Sequence, residues 1–142
     1  MENSKVSQVG APDSEVQCPS NRPLRILVVE DNEILRRLNA SVLNKLGYHV
    51  DAVEDGSVAW SNLQRDQYDL LLTDNEMPNL SGVELLEKLR AARIALPVIM
   101  ASGAMPAEII QDSHPVAKLW KPYTPEELAA AVQDVLPFSG SR

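Results

Sequence analysis

Short apolar runs alternate with longer amphipathic segments along most of this chain. Residues 26–29 form a continuous apolar run, and comparable runs occur within residues 69–73 and 97–101. An uninterrupted apolar run of this length is typical of a strand that is buried on both faces of a sheet. Residues 48–53 alternate between apolar and polar positions, and residues 116–120 form a last short run. The pattern therefore predicts five strands.

The segments between these strands carry apolar residues at the spacing of a helix. In residues 32–46 they recur every three or four positions, and Gly47 follows as a glycine that ends a helix. The final helix is marked at its start, because Thr124 and Glu127 form a capping box around Pro125 at the first helical position. Helical spacing also predicts three further helices, over residues 58–63, 82–92 and 107–112.

Five strands that alternate with helices predict right-handed crossovers and a doubly wound α/β fold. The five-stranded sheet is then parallel and covered by helices on both faces, with strand order 2-1-3-4-5. We expect this folded unit over residues 23–138. Residues 1–21 contain no Leu, Ile, Phe, Trp or Tyr, so they predict a disordered tail or linker over residues 1–22. Residues 139–142 are expected to form a frayed C-terminus.

Composition and charge exclude several functions. Of the 142 residues, 13 are Lys or Arg and 20 are Asp or Glu, a net charge of −7 that disfavours nucleic-acid binding through phosphate neutralisation. No apolar run approaches the roughly 20 residues of a membrane span, and the N-terminus lacks a signal-peptide pattern. The one cysteine, Cys18, has no partner for an internal disulfide or a cysteine zinc site. We expect a cytoplasmic protein without membrane contact.

Polar residues follow four of the five predicted strands. Glu30 and Asp31 follow the first, Asp74 the third, Ser102 the fourth and Lys121 the fifth. In an open parallel sheet, ligands bind at the carboxyl ends of the strands. With strand order 2-1-3-4-5 these four strands are neighbours, so we expect the five side chains to converge at one end of the sheet.

This set of side chains indicates a metal and an anion. Three carboxylates repel one another unless a cation lies among them, and oxygen ligands suit Mg²⁺, or Mn²⁺ as a substitute. Lys121 adds a positive charge and Ser102 adds a hydrogen-bond donor. Both suit an anion, and a phosphoryl group that also contacts the metal is the natural candidate.

Four sequence motifs surround these polar residues: residues 27–32 (LVVEDN), 71–78 (LLTDNEMP), 99–102 (IMAS) and 120–123 (WKPY). Together they resemble those of a known family, the CheY-like receiver domain of two-component response regulators. The resemblance covers residues 24–136, and it implies the flavodoxin-like (βα)₅ fold with strand order 2-1-3-4-5. Each motif is weak alone, but the four occur in order and at the expected strand ends.

The resemblance implies that Asp74 is the phosphoacceptor, which takes a phosphoryl group from a histidine kinase or a histidine phosphotransfer domain. Lys121 is then expected to pair with the phosphoryl oxygens, or with Asp74 before reaction. Ser102 is expected to bind the phosphoryl group and shift toward it, which couples phosphorylation to a surface change. The bond before Pro122 is similar to one that is cis in the family.

The same resemblance assigns the metal ligands and two tuning positions. Asp31 and Asp74 are expected to bind Mg²⁺ directly, the backbone carbonyl of Glu76 is a further ligand, and Glu30 holds a metal-bound water. Glu76 and Ala104 are similar to positions that flank the hydrolytic water and so tune the lifetime of the phosphorylated state. The carboxylate of Glu76 either repels or orients that water.

Besides these two tuning positions, three further features depart from the family pattern. The position three before the lysine, usually the aromatic residue of a rotamer switch, is Lys118. The stretch over residues 103–120 is shorter than usual, which predicts a short or irregular fourth helix. Ser81 replaces the usual Asp before Gly82, where it still suits the N-cap of the third helix.

These residues favour a phosphoacceptor signalling domain over an enzyme, with catalysis limited to forming and hydrolysing its own aspartyl phosphate. The alternative is a pseudo-receiver, a protein-binding module that works without phosphorylation. An aspartate-dependent phosphatase of the haloacid dehalogenase type needs Asp-x-Asp after the first strand, where this chain has adjacent Glu30 and Asp31. The domain is either a free-standing regulator or the receiver segment of a hybrid histidine kinase.

Overall fold

The computed structural model describes residues 22–107 and 116–136, and a five-stranded sheet runs through them. The strands are β1 Arg25–Val29, β2 His49–Val53, β3 Leu70–Asp74, β4 Val98–Ser102 and β5 Val116–Trp120. The helices of the described residues are α1 Glu33–Lys45, α2 Gly56–Arg65, α3 Gly82–Ala91 and α4 Pro125–Val135.

All five strands are parallel, and their order in the sheet is β2-β1-β3-β4-β5. This confirms the predicted doubly wound α/β fold and its strand order. The predicted helix over residues 107–112 lies outside the described residues from position 108 onward, and so does its expected short or irregular form. The predicted tail over residues 1–22 lies outside them up to residue 21, and the predicted frayed C-terminus over residues 139–142 lies outside them entirely.

Successive residues of the central strands face opposite sides of the sheet, which creates two separate cores. Ile26 and Val28 pack with the apolar faces of α1 and α4, where Leu43 and Leu128 are buried. Leu27 and its neighbour two positions on pack on the other side, in the cluster that includes apolar residues of α2 and α3. The continuous apolar run in β1 therefore has the physical cause that the sequence pattern suggested, a strand covered on both faces.

Side-chain caps determine where the helices begin. Thr124 and Ser81 each form a capping box with the residue three positions on, which confirms the predicted start of α4 and the capping role expected of Ser81. Asp55 accepts a hydrogen bond from the backbone NH of Val58 at 2.9 Å, so α2 begins at Gly56, two residues before the predicted start.

The strand ends differ slightly from the sequence pattern. β3 and β4 each extend one residue further than predicted, to Asp74 and Ser102, because both residues still pair in the parallel ladder. Trp120 at the end of the edge strand β5 is 52% exposed, so it is not the packing residue that its size suggests. Among the described residues, none of the helices combines the length and the apolar character needed to cross a membrane.

Candidate functional site

Polar side chains converge at the carboxyl ends of four neighbouring strands, where the apolar core stops. Glu30 follows β1, Asp74 ends β3, Ser102 ends β4 and Lys121 follows β5. Glu30, Asp74 and Ser102 are almost fully buried, with exposed fractions of 2%, 3% and 0%. Asp31 lies beside them on the exposed rim. The structure thus brings together the five side chains that the sequence placed at one end of the sheet.

Three carboxylates form a compact acidic group. Glu30, Asp31 and Asp74 each offer an oxygen atom, and these three atoms lie within 4.8 Å of one another. Burial and the nearby charge of Glu30 raise the pKa of Asp74 to about 6, although contact with Lys121 lowers it in part. A carboxylate whose ionised form is disfavoured in this way gains from a bound cation. The oxygen-only donor set fits Mg²⁺ or Mn²⁺.

Lys121 links the two buried carboxylates. Its Nζ atom lies 3.1 Å from Glu30 Oε1 and 3.1 Å from Asp74 Oδ2. Burial lowers the pKa of Lys121, but the hydrogen bonds to both acids outweigh this and the net shift is upward. One ammonium group therefore serves two buried acids and leaves the pair with excess negative charge. The peptide bond between Lys121 and Pro122 is cis.

Backbone and side-chain contacts hold Glu30 in place. Its Oε2 atom accepts a hydrogen bond from the backbone NH of Asn32 at 3.1 Å. The guanidinium of Arg36 donates to the backbone carbonyl of Glu30 at 2.9 Å, one turn into α1. Both oxygens of Glu30 are thus engaged, one by the Asn32 amide and one by the Lys121 ammonium. These contacts hold the Glu30 carboxylate beside the other two carboxylates of the acidic group.

Ser102 has a partner that the sequence analysis missed. Its hydroxyl group donates a hydrogen bond of 2.7 Å to Glu76 Oε2 and accepts one of 3.0 Å from the backbone NH of Ala104. Glu76 lies two residues after Asp74, in the loop that follows β3, and Ser102 ends the adjacent strand β4. The sequence indicated that the ends of β3 and β4 are adjacent and that Glu76 has a long acidic side chain. It did not indicate the direction in which that side chain extends.

The loop after β3 is held close to Asp74. The backbone NH of Gly82 donates to the Asn75 carbonyl at 3.1 Å, and the Asn75 side chain accepts from the backbone NH of Val83 at 3.0 Å. A Cβ atom on Gly82 would lie 2.6 Å from the Asp74 carbonyl oxygen and 2.7 Å from Met100 Sδ. Glycine therefore allows α3 to begin directly against the end of β3.

The remaining predicted positions lie around this centre. The backbone NH of Glu76 lies 3.4 Å from Asp74 Oδ1, whereas the ligand role of its carbonyl stays a prediction. Ala104 is exposed beside Ser102, consistent with a position that borders the site. Lys118 is exposed on β5, and so is Trp120 two residues further along the same strand. Chemically, the arrangement combines a buried carboxylate at Asp74, an acidic group that suits a cation, and an ammonium group that suits an anion.

A family model described as "Response regulator receiver domain" matches residues 26–133 of this chain. The sensor protein EvgS of Escherichia coli O157:H7 is 40% identical over 95 residues, which cover 66% of this chain and 8% of that protein. The sensor histidine kinase RcsC of Salmonella typhimurium is 34% identical over 106 residues, which cover 75% of this chain and 11% of that protein. The chain thus spans about a tenth of the length of these curated relatives.

Solved structures show the same fold. The chemotaxis protein CheY4 of Vibrio cholerae superimposes with a TM-score of 0.74 at 27% identity, and the match covers 81% of this chain and all of that chain. The response regulator protein TrrA of Thermotoga maritima, solved in complex with Mg²⁺ and BeF, gives a TM-score of 0.71 at 29% identity. That match covers 80% of this chain and 99% of that chain.

Proposed function

Because this chain belongs to the response regulator receiver domain family, we propose that it accepts a phosphoryl group from phosphohistidine onto Asp74. The observation that carries the proposal is the buried Asp74 carboxylate, held 3.1 Å from the Lys121 ammonium and next to two further acids. Surplus negative charge around an aspartate with only a structural role would destabilise the fold. Around a nucleophile that works with a cation, the same charge serves to bind that cation.

The transfer needs little covalent chemistry from the protein. A carboxylate oxygen of Asp74 attacks phosphorus, the nitrogen–phosphorus bond of the donor breaks, and the histidine nitrogen keeps the electron pair. Lys121 already contacts Asp74 Oδ2, so its ammonium group is placed to follow the new phosphoryl oxygens. Position and charge neutralisation then supply most of the rate enhancement.

The acidic group is the proposed metal site. Asp31, Asp74 and the backbone carbonyl of Glu76 would hold Mg²⁺, or Mn²⁺ in its place, and Glu30 would act through a bound water. When bound, the ion supplies positive charge against the phosphoryl oxygens. The raised pKa of Asp74 supports this fit, since an ionised Asp74 lacks sufficient compensation from Lys121 alone.

We place the receiver unit at residues 23–138 and its partner in the class of histidine kinases or histidine phosphotransfer domains. Relatives that are sensor kinases support this kind of partner. Ser102 would signal the phosphorylated state by binding the phosphoryl group. Output follows by protein contact in a free-standing regulator, or by relay to a phosphotransfer domain in a hybrid kinase. The cytoplasmic location is part of this proposal.

Intact mass spectrometry after incubation with acetyl phosphate and Mg²⁺ tests the proposal. We expect a gain of one phosphoryl group, lost in Asp74→Asn and in the presence of EDTA. Asp51→Asn is the matched control, because Asp51 also pairs with a cation but contacts Arg25 rather than Lys121. No gain with either acetyl phosphate or a phosphohistidine donor, together with no Mg²⁺ binding, would favour the pseudo-receiver instead.

A further inference from the structure

The Ser102 hydroxyl group has one hydrogen to donate, and Glu76 already receives it. Ser102 Oγ lies 2.7 Å from Glu76 Oε2, and the backbone NH of Ala104 donates a hydrogen bond of 3.0 Å to Ser102 Oγ. The Ala104 amide occupies an acceptor site and directs the hydroxyl hydrogen elsewhere, toward the carboxylate. A hydroxyl group can donate only one hydrogen bond at a time. Any second acceptor must therefore displace Glu76.

We propose that Glu76 is a positioning residue that holds the Ser102 hydroxyl in the unphosphorylated state and competes for it with the phosphoryl group on Asp74. The inference rests on the proposed phosphoryl transfer and adds a form of regulation at the same site. It differs from the role implied by the family resemblance, in which Glu76 acts on the hydrolytic water. Here Glu76 acts on the serine hydroxyl.

The surroundings of the two residues make this competition asymmetric. Ser102 is fully buried, whereas Glu76 is exposed in the loop after β3. When the hydroxyl turns away, the Glu76 carboxylate returns to water and does not become a buried charge. Asn75 Nδ2 also donates to Glu76 Oε2, at 3.3 Å, and this contact survives the change. Release of Glu76 is therefore possible without unfolding the loop, but it still gives up a charge-assisted hydrogen bond.

As a consequence, Ser102 should bind the phosphoryl group more weakly than it would in a site without the Glu76 hydrogen bond. The free energy of the Glu76–Ser102 hydrogen bond must be surrendered before Ser102 can bind a phosphoryl oxygen. The apparent affinity for a phosphoryl mimic is reduced by that amount. In the same step, the link between the loop after β3 and the end of β4 is broken. Glu76 thereby biases the domain toward its unphosphorylated form.

Two single variants separate this contact from simple charge repulsion. Glu76→Asp keeps the charge but shortens the side chain by one methylene, so the carboxylate no longer reaches Ser102. Glu76→Gln removes the charge but keeps the length and an oxygen that can accept the hydrogen. The measurement is the apparent dissociation constant of beryllofluoride, a phosphoryl mimic, at saturating Mg²⁺, by isothermal titration calorimetry.

We expect Glu76→Asp to bind beryllofluoride about fivefold more tightly than the wild type, the equivalent of one hydrogen bond. Glu76→Gln should bind less than fivefold more tightly, because its amide oxygen still holds the hydroxyl. The opposite order, with Glu76→Gln tighter and Glu76→Asp equal to the wild type, would show charge repulsion and overturn the proposal. This comparison needs no change at the buried Ser102.

A double-mutant cycle with Ser102→Ala provides a second check. If Glu76 acts through the hydroxyl, Glu76→Asp should leave beryllofluoride affinity unchanged in the Ser102→Ala background. An equal gain in both backgrounds would contradict the proposal. The wild-type titration separates the two proposals: absence of Mg²⁺-dependent beryllofluoride binding there overturns the phosphoryl-acceptor function itself, and the Glu76 proposal with it.

Discussion

Two aspartates in this molecule pair with a cation at similar distances, yet their pKa values shift in opposite directions. Asp51 Oδ2 lies 2.8 Å from Arg25 Nη2, and Asp74 Oδ2 lies 3.1 Å from Lys121 Nζ. Burial raises the pKa of Asp51, but hydrogen bonds from Tyr68 and Arg25 outweigh it and the net pKa is lowered. For Asp74, burial and the charge of Glu30 prevail, and the pKa rises to about 6.

The difference comes from the number of acids that share each cation and from burial. The Asp51 side chain is 32% exposed, and Tyr68 adds a hydrogen bond of 2.7 Å. The Asp74 side chain is 3% exposed and shares Lys121 with the buried Glu30. The first pair is electrostatically complete and ties β1 to β2. The second remains short of positive charge, which is what a metal-dependent phosphoacceptor requires.

Magnesium affinity should separate the two regions most strongly. We expect Asp31→Asn to weaken Mg²⁺ binding by roughly 100-fold, since even outer partners of metal ligands contribute up to this amount. Asp51→Asn should leave Mg²⁺ binding unchanged, because Asp51 is no member of the acidic group. Isothermal titration calorimetry with both variants measures the effect. Equal losses in the two variants would refute the proposed metal site.

Without metal, the substitution Asp74→Asn should raise the free energy of unfolding, whereas most substitutions of buried residues lower it. The pKa of Asp74 is about 6 when folded and lies near 3.8 in the unfolded reference, so protonation favours the folded state. This contribution is fully present below about pH 4 and is lost as the pH rises through 6. Asp74→Asn should therefore raise the free energy of unfolding at pH 7 by roughly 2 kcal/mol.

Urea unfolding in EDTA at a series of pH values tests this prediction for Asp74. The variant should lose much of the pH dependence that the wild type shows between about pH 4 and 7. A variant less stable than the wild type at pH 7 would mean that the ionised Asp74 is stabilising, against the electrostatic account given above.

Asp51→Asn should have the reverse effect on stability. The pKa of Asp51 lies below 3.8, so its stabilising contribution is present above about pH 4 and is lost as the pH falls further. We expect the variant to lose about 1 kcal/mol at pH 7, a value reduced by solvent screening because the Asp51 side chain is 32% exposed. Urea unfolding at pH 7 and pH 3 measures it. A loss that persists unchanged at pH 3 would not fit an ion pair.

The smallest effect is expected for Tyr68→Phe. The substitution removes the hydrogen bond to Asp51 but keeps the ring, whose centre lies 4.9 Å from the Arg25 guanidinium carbon. Arg25 still pairs with Asp51, so we expect a loss of about 0.5 kcal/mol in the free energy of unfolding. Tyr68→Leu, which also removes the cation–π contact, should lose more. Equal losses would assign no role to the ring.

Much of the fold could be predicted because its signals are local. The apolar run in β1, Gly47 after α1 and the capping box at Thr124 each depend on a few neighbouring residues, and each prediction was confirmed. The predicted start of α2 at residue 58 was wrong because it followed the helical spacing of apolar residues, whereas the side chain of Asp55 caps the helix and α2 begins at Gly56. Helix boundaries depend on such cap geometry, and a sequence pattern locates it only approximately.

The site was predictable as a set of residues because parallel strands bring their carboxyl ends to one edge. That rule placed Asp74 and Lys121 together, and the structure joins them at 3.1 Å. It did not reveal that Lys121 also binds Glu30, or that Ser102 donates to Glu76. These contacts depend on side-chain directions and on which acceptor lies nearest, neither of which follows from strand position.

Local patterns in the sequence predict the order of strands and helices, the two apolar faces of the sheet and the polar residues at its carboxyl end. Hydrophobic periodicity and strand termination are properties of short segments, so they can be interpreted without coordinates. The folded chain, in contrast, establishes how charge is shared among these residues. It assigned one lysine to two buried acids, gave Asp51 an arginine and a tyrosine, and directed the single hydrogen of Ser102 to Glu76. The balance of charge depends on the burial of each group and on the distances between groups that are far apart in the sequence. Tertiary packing establishes both.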